Sequence, residues 1–419
     1  IGAVVGQVFF GVLADRIGRK RVFVTTGSLI VVGALLSACA QETLFSAWGH
    51  NQIFYQIAAA QMLMGFGIGG EYPLSAAITS ESASCSQRGR TMALVFSMQG
   101  LGYLIAALVN LMLVASGASY DTTWRFSLGF GGVMPAISLY FRLQMHETCA
   151  YQRAAVAAGG PAQAPPESAW DYRYHVLGTA GSWCLFDIVF YANSLFHDDV
   201  MSALGGGTLL LDARNTLIIV LIMLPGYWAG VASIDRLGRK NMQLLGFSMM
   251  AVLFLFCGLA FDALRKVGWL FVFVYGLTFF FSNLGPNTTT YVIPGEIYPT
   301  RLKATCHGIS AAAGKAGAAL GTFVFPYLDP STSTGLKHAM LICSATAVLG
   351  LLNTILFTPR YQAQELEPDL ADRAAGRTVH FIPLRLLGRR GQGDKPLLPP
   401  AGAQVEAPQD VLQLANSDG

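Results

Sequence analysis

A lysine lies deep inside one of the long apolar segments of this chain. Lys315 falls about twelve residues into the segment 304–327, between the small-residue stretches AAAG and AGAALG, so its ammonium group cannot extend to either end. An ionisable group at such a position is a candidate for a binding role. The alternative is an interfacial lysine, which would require the segment to begin closer to residue 315.

A second apolar segment, 175–196, carries polar side chains at intervals of four residues. Trp183, Asp187 and Tyr191 therefore share one face of the predicted helix. Either aromatic residue alone is typical of a membrane interface, but an ionised Asp187 buried without a partner is costly. Together with a buried lysine, this stripe offers the charge and the donors that a dehydrated anion needs.

Three neutral hydrogen-bonding residues lie in the middle of other apolar segments, namely Tyr72, Gln99 and Asn287. Each can donate a hydrogen bond to an anion. Such residues also bridge neighbouring helices, so each alone is nearly as well explained by packing. As a set, they complete a candidate anion site with one fixed positive charge, several neutral donors and one acceptor.

The composition indicates what kind of element carries these residues. Of 419 residues, 53% are hydrophobic and only 12% are charged, and the mean hydropathy is +0.48. A soluble domain carries roughly 25% charged residues. Lipid must therefore cover most of the surface, and we predict an all-α polytopic membrane protein. The net charge of +3 gives no indication of a nucleic-acid partner.

We predict eleven membrane-spanning helices, because a bilayer core about 30 Å thick requires roughly 20 apolar residues per helix. The predicted spans are 1–13, 22–40, 52–72, 91–116, 125–142, 175–196, 208–232, 241–261, 268–293, 304–327 and 338–358. Residues 143–172 are rich in Ala, Gly and Pro and are interpreted as a linker. Residues 361–419 are too polar to span a membrane and are expected to form a mostly disordered tail.

Lysine and arginine are concentrated in alternate loops, which sets the predicted orientation. Basic residues follow the spans that end near residues 13, 72, 232 and 293, whereas the intervening loops are poor in them. These basic loops, the linker and the tail are therefore predicted to face the cytoplasm.

The sequence contains an internal duplication. Residues 15–20, DRIGRK, recur at 235–240 as DRLGRK, and a looser echo relates the Glu81 region to the Glu296 region. Such duplication is typical of membrane proteins built from two parallel repeats. We predict an N-terminal half at 1–142 with five spans and a C-terminal half at 173–360 with six. Equal halves would place a further helix before Ile1.

The motifs in these loops and spans resemble those of a known family. The loop Gly11-x-Leu-Ala-Asp-Arg-x-Gly-Arg-Lys20 resembles the cytoplasmic loop motif of the major facilitator superfamily. Five further stretches resemble the proton-coupled inorganic phosphate symporters of fungi and plants: GIGGEYPLSA at 67–76, VFSMQG at 95–100, GPNTTT at 285–290, PGEIYPTR at 294–301 and HGISAAAGK at 307–315. The resemblance runs from Ile1 to about residue 360. The family usually has Asp where Glu71 stands.

The resemblance implies a major-facilitator fold with two six-helix halves, and it implies roles for individual residues. The implied substrate contacts are Tyr72, Gln99, Trp183, Asp187, Tyr191, Asn287 and Lys315. Asp187 and Glu71 are the candidates for proton coupling. Charged residues near the cytoplasmic loops are expected to act in gating, namely Asp15, Arg16, Arg19, Glu81, Arg88, Glu147, Asp235, Arg236, Arg239, Glu296 and Arg301.

We therefore expect a secondary active transporter that carries inorganic phosphate with protons by alternating access. It is expected to work as a monomer in the plasma membrane, although without a twelfth helix we do not expect this 419-residue chain to transport. The alternatives are a sugar or organic-anion carrier of the same superfamily, and a non-transporting phosphate receptor or inactive paralogue. The sequence has no nucleotide-binding loop, metal cluster or nucleophile–base pair, so we predict neither an enzyme nor a cofactor.

Overall fold

The computed structural model describes residues 1–41, 52–158, 169–195, 208–329 and 332–361, and these residues form helices with no β-strand among them. A first group consists of α1 (Gly2–Ile17), α2 (Arg19–Ala38), α3 (Gln52–Ser82), α4 (Arg88–Ala115), α5 (Tyr120–Phe130), α6 (Val133–Gln144) and the short α7 (Cys149–Ala158). The middle of the predicted linker, 159–168, and the predicted tail beyond residue 361 lie outside the described residues.

A second group of helices follows the linker. It consists of α8 (Arg173–Leu195), α9 (Leu209–Leu237), α10 (Arg239–Leu259), the short α11 (Phe261–Arg265), α12 (Gly268–Ser282), α13 (Thr288–Ile297), α14 (Lys303–Val324) and α15 (Ser333–Phe357). Each of the eleven predicted spans falls on one of these helices or on a consecutive pair. Within the described ranges, nine segments are long and apolar enough to cross a membrane, while α1 and α8 occupy the other two predicted positions. The predicted all-α polytopic fold is confirmed.

Two of the predicted spans are not continuous helices. The span predicted at 125–142 begins earlier, at Tyr120, and is broken between Phe130 and Val133, because the two intervening glycines favour helix less than any residue except proline. The span predicted at 268–293 widens into a π-type turn over Asn283–Asn287, where Gly285 leaves the helical conformation. The next residue is a proline, which lacks a backbone N–H and cannot continue the regular hydrogen-bond ladder.

The duplicated hexapeptide forms the same turn twice. Gly18, with φ 105°, separates α1 from α2, and Gly238, with φ 79°, separates α9 from α10. A positive φ is strained for residues with a side chain, so glycine permits each helix to end and the next to begin within one residue.

The two groups meet along two pairs of helices, α1 with α14 and α4 with α9. The duplication relates α1 to α9 and, in the same order along each half, α4 to α14. The two contacts are therefore equivalent under the repeat. Gly11 packs against the backbone of Ala304, and Gly308 packs against that of Gln7. Small residues at these positions let the helix backbones approach closely, as is typical of helix packing in membranes.

Candidate anion site and ion-pair network

Lys315 forms the centre of a buried polar cluster. Its Nζ donates hydrogen bonds to Asp187 Oδ2 at 3.1 Å and to the Tyr191 hydroxyl at 2.7 Å. The side chains of Lys315 and Asp187 are only 15% and 3% exposed. Lys315 lies on α14, whereas Asp187 and Tyr191 lie one turn apart on α8, as their spacing predicts. The sequence-predicted alternative of an interfacial lysine does not fit this buried ion pair.

Aromatic rings surround the ammonium group. Lys315 Nζ lies 4.4 Å from the centroid of the Tyr191 ring and 5.5 Å from that of Tyr72, both within the range of a cation–π interaction. Tyr72 comes from α3 of the first group and packs edge-on against Trp183 at 6.0 Å between centroids. The indole of Trp183 rests on Gly314, where a side chain would displace it. Both helix groups therefore contribute to this cluster.

Gln99 and Asn287, the remaining predicted substrate contacts, form a separate hydrogen-bonded cluster. Asn287 Nδ2 donates to Gln99 Oε1 at 3.2 Å and to Asn283 Oδ1 at 2.7 Å, and the Tyr227 hydroxyl donates to Gln99 Oε1 at 2.9 Å. The cluster joins α4 to α9 and to the π-type turn. Gln99 and Asn287 thus lie together, but they bind each other rather than Lys315, and their role as substrate contacts stays a prediction.

Tyr103, which was not anticipated from the sequence, packs against the hydrophobic core that contains Trp183 and Tyr227. It interacts electrostatically with Lys315, Tyr72 and Tyr191, and also with Tyr227 of the second cluster. The sequence spacing could have identified Tyr103, because it follows Gln99 by one helical turn and shares its face of α4. Tyr227 carries no comparable signal in the sequence.

Glu71 is paired on a different side of α3 from its neighbour Tyr72. Its carboxylate accepts two hydrogen bonds from the Arg142 guanidinium, at 2.6 and 2.8 Å, and one from the Thr26 hydroxyl at 2.7 Å. Arg142 lies on α6 and stacks on the Phe23 ring at 3.7 Å. Glu71 therefore ties three helices of the first group together, and Arg142 is the partner that the sequence did not reveal.

Arg19 organises the ion pairs at the basic-loop end of the first group. Its side chain lies 3.1 Å from Asp15 and 2.9 Å from Glu81, and it donates to the Thr300 carbonyl of the second group at 2.7 Å. Its backbone N–H donates to Glu147 at 3.1 Å. The Arg19 and Glu81 side chains are fully or almost fully buried.

Arg239 plays the matching part in the second group. It forms a two-point ion pair with Glu296, at 2.8 and 2.9 Å, and lies 3.0 Å from Asp235. The Tyr361 hydroxyl donates to the same Glu296 carboxylate at 2.8 Å. Burial and this carboxylate raise the pKa of Tyr361 well above its ordinary value, so the phenol stays protonated and remains a donor.

Two further contacts join the groups at the basic-loop end. Asp15 on α1 accepts hydrogen bonds from the backbone N–H groups of Ala304 and Thr305, at 3.3 and 2.7 Å, in the first turn of α14. A carboxylate is favourable there because a helix N-terminus carries partial positive charge. Lys303 donates to Ser80 of α3 at 3.2 Å. Of the other predicted gating residues, Arg88 is buried at the start of α4, while Arg16, Arg236 and Arg301 are exposed.

Comparison with known proteins identifies the class of this chain. The sugar (and other) transporter family matches residues 1–158 and 186–368, which is most of the chain. The chain belongs to this family of membrane transporters and is an integral, multi-pass membrane protein.

Individual relatives define the group within this family to which the chain belongs. The low affinity inorganic phosphate transporter 4 of Lotus japonicus is 36% identical, and the match covers 85% of this chain and 78% of the relative. Inorganic phosphate transporter 1-6 of Oryza sativa subsp. japonica is also 36% identical, with 90% and 82% covered. The resemblance inferred from the motifs is thus confirmed, and the chain belongs with the inorganic phosphate transporters.

Solved structures confirm the predicted major-facilitator fold. A double tryptophan mutant of XylE superposes with a TM-score of 0.73 at 18% identity, covering 88% of this chain and 87% of XylE. The proton:xylose symporter XylE bound to 6-bromo-6-deoxy-D-glucose gives 0.70 at 17% identity, with 88% of each chain covered.

Proposed function

We propose that this chain is a proton-coupled symporter of inorganic phosphate that works by alternating access in the plasma membrane. The observation that carries the proposal is the buried cluster in which Lys315 contacts Asp187 and Tyr191. The relatives named as inorganic phosphate transporters support phosphate as the anion. In the proposed organisation, halves at 1–142 and 173–360 flank a cytoplasmic linker at 143–172, a cytoplasmic tail covers 361–419, and the monomer is the working unit.

Charge balance at Lys315 explains why the anion would travel with a proton. In the structure, the ammonium and the Asp187 carboxylate neutralise each other at 3.1 Å. An arriving phosphate anion takes Asp187's place beside Lys315 and would leave that carboxylate unpaired and buried, which is costly. A proton on Asp187 removes this cost and converts the carboxylate into a donor to a phosphate oxygen. Loss of that proton then favours release.

The aromatic residues of the cluster supply neutral donors. The Tyr191 hydroxyl and the Trp183 indole N–H lie on the face of α8 that carries Asp187, and Tyr72 approaches from α3. In the proposed bound state they replace part of the hydration shell of phosphate. Gln99 and Asn287 would join when the second cluster rearranges, since Gln99 Oε1 already accepts two hydrogen bonds.

The ion pairs at the basic-loop end act as the latch of the outward-facing state in this proposal. The latch consists of Arg19 with Asp15 and Glu81, and of Arg239 with Asp235 and Glu296. Rocking of the two groups would separate Asp15 from α14 and remake these contacts on return. Glu71 is the second proposed proton-handling group, held by Arg142 until it is protonated.

The main rival is a sugar or organic-anion carrier of the same superfamily. A neutral sugar cannot form a charge-assisted hydrogen bond with the Lys315 ammonium as strongly as an anion can, which favours an anion. A phosphate receptor that does not transport would bind phosphate without accumulating it.

The test is phosphate uptake by the full-length protein in proteoliposomes. Radiolabelled phosphate should enter faster at acidic external pH, and collapsing the proton gradient should abolish accumulation. Excess xylose or citrate should not compete. Binding without accumulation would support the receptor, competition by a sugar would support the rival carrier, and uptake insensitive to the proton gradient would contradict the coupling.

A further inference from the structure

A cluster of side chains lies directly beyond the anion site on the way to the basic loops. His307 precedes Lys315 by eight residues on α14, which places it about 12 Å closer to the basic end. Its ring packs edge-on against Trp183 at 5.5 Å and against Tyr291 at 5.4 Å between centroids. All three side chains are at most 2% exposed. They seal the site from that side.

Within this seal, Tyr291 contacts the first helix group through both a hydrogen bond and a ring contact. Its hydroxyl lies 3.0 Å from Ser75 Oγ on α3, and its ring lies 4.9 Å from the Phe96 ring on α4. Ser75 and Phe96 belong to the first group, whereas Tyr291 lies on α13 of the second. Any motion that opens the site toward the basic loops must separate Tyr291 from both.

His307 has one nitrogen without a partner. Its Nε2 lies 3.1 Å from the Tyr291 carbonyl oxygen, which can only accept, so Nε2 carries the hydrogen. Nδ1 then presents a lone pair, and it has no hydrogen-bond partner among the described residues. Gln7 on α1, whose backbone packs against Gly308, likewise has a buried side-chain amide without a partner there. Orphaned buried polar groups are rare and require an explanation.

We propose that the Tyr291–Ser75 contact is the gate that closes the anion site toward the basic loops, and that opening it exposes His307 Nδ1 to the departing phosphate. The proposal rests on the proposed function of phosphate transport by alternating access. A hydroxyl of dihydrogen phosphate is a donor that matches the Nδ1 lone pair. The orphaned nitrogen is therefore an exit contact that is satisfied only when the gate is open.

Tyr291→Phe removes only the gate hydroxyl, and Tyr298→Phe is its matched control. Tyr298 is equally buried, but its hydroxyl lies 2.9 Å from Thr179, within the second group. The reporter is His307→Cys in a chain with its native cysteines replaced, labelled by a membrane-impermeant maleimide in inside-out vesicles. Tyr291→Phe and Ser75→Ala should each speed labelling about two- to tenfold, the equivalent of one hydrogen bond. Tyr298→Phe should not.

Equal labelling rates in Tyr291→Phe and Tyr298→Phe would overturn the gate. A second reporter, Gln7→Cys, repeats the comparison with His307 intact. For the exit contact, His307→Gln keeps a donor toward the Tyr291 carbonyl but carries its acceptor away from the Nδ1 position, whereas His307→Asn keeps an acceptor close to that position. His307→Gln should lower kcat for phosphate uptake severalfold more than His307→Asn, with KM unchanged, and equal kcat values would overturn this role. The labelling needs no phosphate, so a protein that shows the gate but takes up no phosphate would contradict the proposed function alone.

Discussion

The Lys315 ammonium lies 3.1 Å from the Asp187 carboxylate, although the two residues are 128 positions apart in the chain. They meet because α8 and α14 pack closely over Gly314, Gly317 and Gly321, where added side chains would collide with α8. Each charge compensates the other in a buried site. Removal of one partner therefore changes the charge of the site as well as its shape, and the two single substitutions should differ in effect.

Lys315→Ala should abolish phosphate binding and uptake, because the remaining Asp187 carboxylate repels the anion. Asp187→Asn should retain binding, since the ammonium is kept, but should lose acceleration by acidic external pH. Binding is measured by equilibrium dialysis with radiolabelled phosphate, and coupling by uptake with and without a protonophore. Uptake that survived in both variants would show that the substrate site lies elsewhere.

Tyr191→Phe should weaken phosphate binding about tenfold or more, because it removes a hydrogen bond to a charged group. The matched control is Tyr275→Phe, which removes a buried hydroxyl that donates to the Asn193 carbonyl at 3.0 Å, away from Lys315. The control should alter stability without altering affinity. Equal losses of affinity in the two variants would indicate a general effect on folding.

Glu296→Gln should destabilise the protein by about 3–5 kcal/mol, because Arg239 is left buried without its two-point partner. The double variant Arg239→Met/Glu296→Met removes both charges and should recover most of this loss. Thermal unfolding in detergent measures both. A single variant as stable as the wild type would mean that water reaches this pair.

Glu71 and Arg142 permit a similar test with a functional readout. Either single substitution, Glu71→Gln or Arg142→Gln, should lower stability, and the double variant should regain it. If Glu71 handles a proton, the double variant should fold yet respond less to acidic external pH. A folded double variant with the wild-type pH response would assign the pair a structural role only.

Gly238→Ala should cost about 1–2 kcal/mol, since its φ of 79° is strained for alanine while the surrounding space is open. Gly18→Ala should cost more, because an added methyl would also displace the Glu147 carboxylate. The two variants each lose some free energy of unfolding, and the difference between these losses measures the cost of displacing Glu147. Equal costs would mean that Glu147 moves aside freely.

Much of the fold was predictable because lipid imposes simple rules on the sequence. Span length and the position of basic loops follow from the thickness and polarity of the membrane, and each predicted span falls on one helix or on a consecutive pair. The stripe of Trp183, Asp187 and Tyr191 was predictable because helical periodicity alone places these residues on one face. The contact of Asp187 with Lys315 was predictable as well, because two buried opposite charges stabilise each other when they pair.

The remaining features depend on contacts between helices, which periodicity does not encode. Arg142 lies at the end of a predicted span, where a basic residue is typical of the charges that set the orientation of a helix in the membrane. In the structure it pairs with Glu71 on another helix. The split of the predicted substrate contacts into two clusters depends on Tyr227, an unremarkable tyrosine in an apolar segment. The break at Gly131 was missed because hydropathy averages over it.

The π-type turn at Asn283–Asn287 divides one predicted membrane span into two helices, α12 and α13. Tyr291 lies on α13, four residues beyond the turn, while Asn287 within the turn donates a hydrogen bond to Gln99. The regular helical hydrogen-bond ladder is interrupted at this turn, so the tilt of α13 is not fixed by that of α12. Under the proposed alternating access, the Tyr291–Ser75 gate would then open by movement of this ten-residue helix, before the two halves complete their rotation.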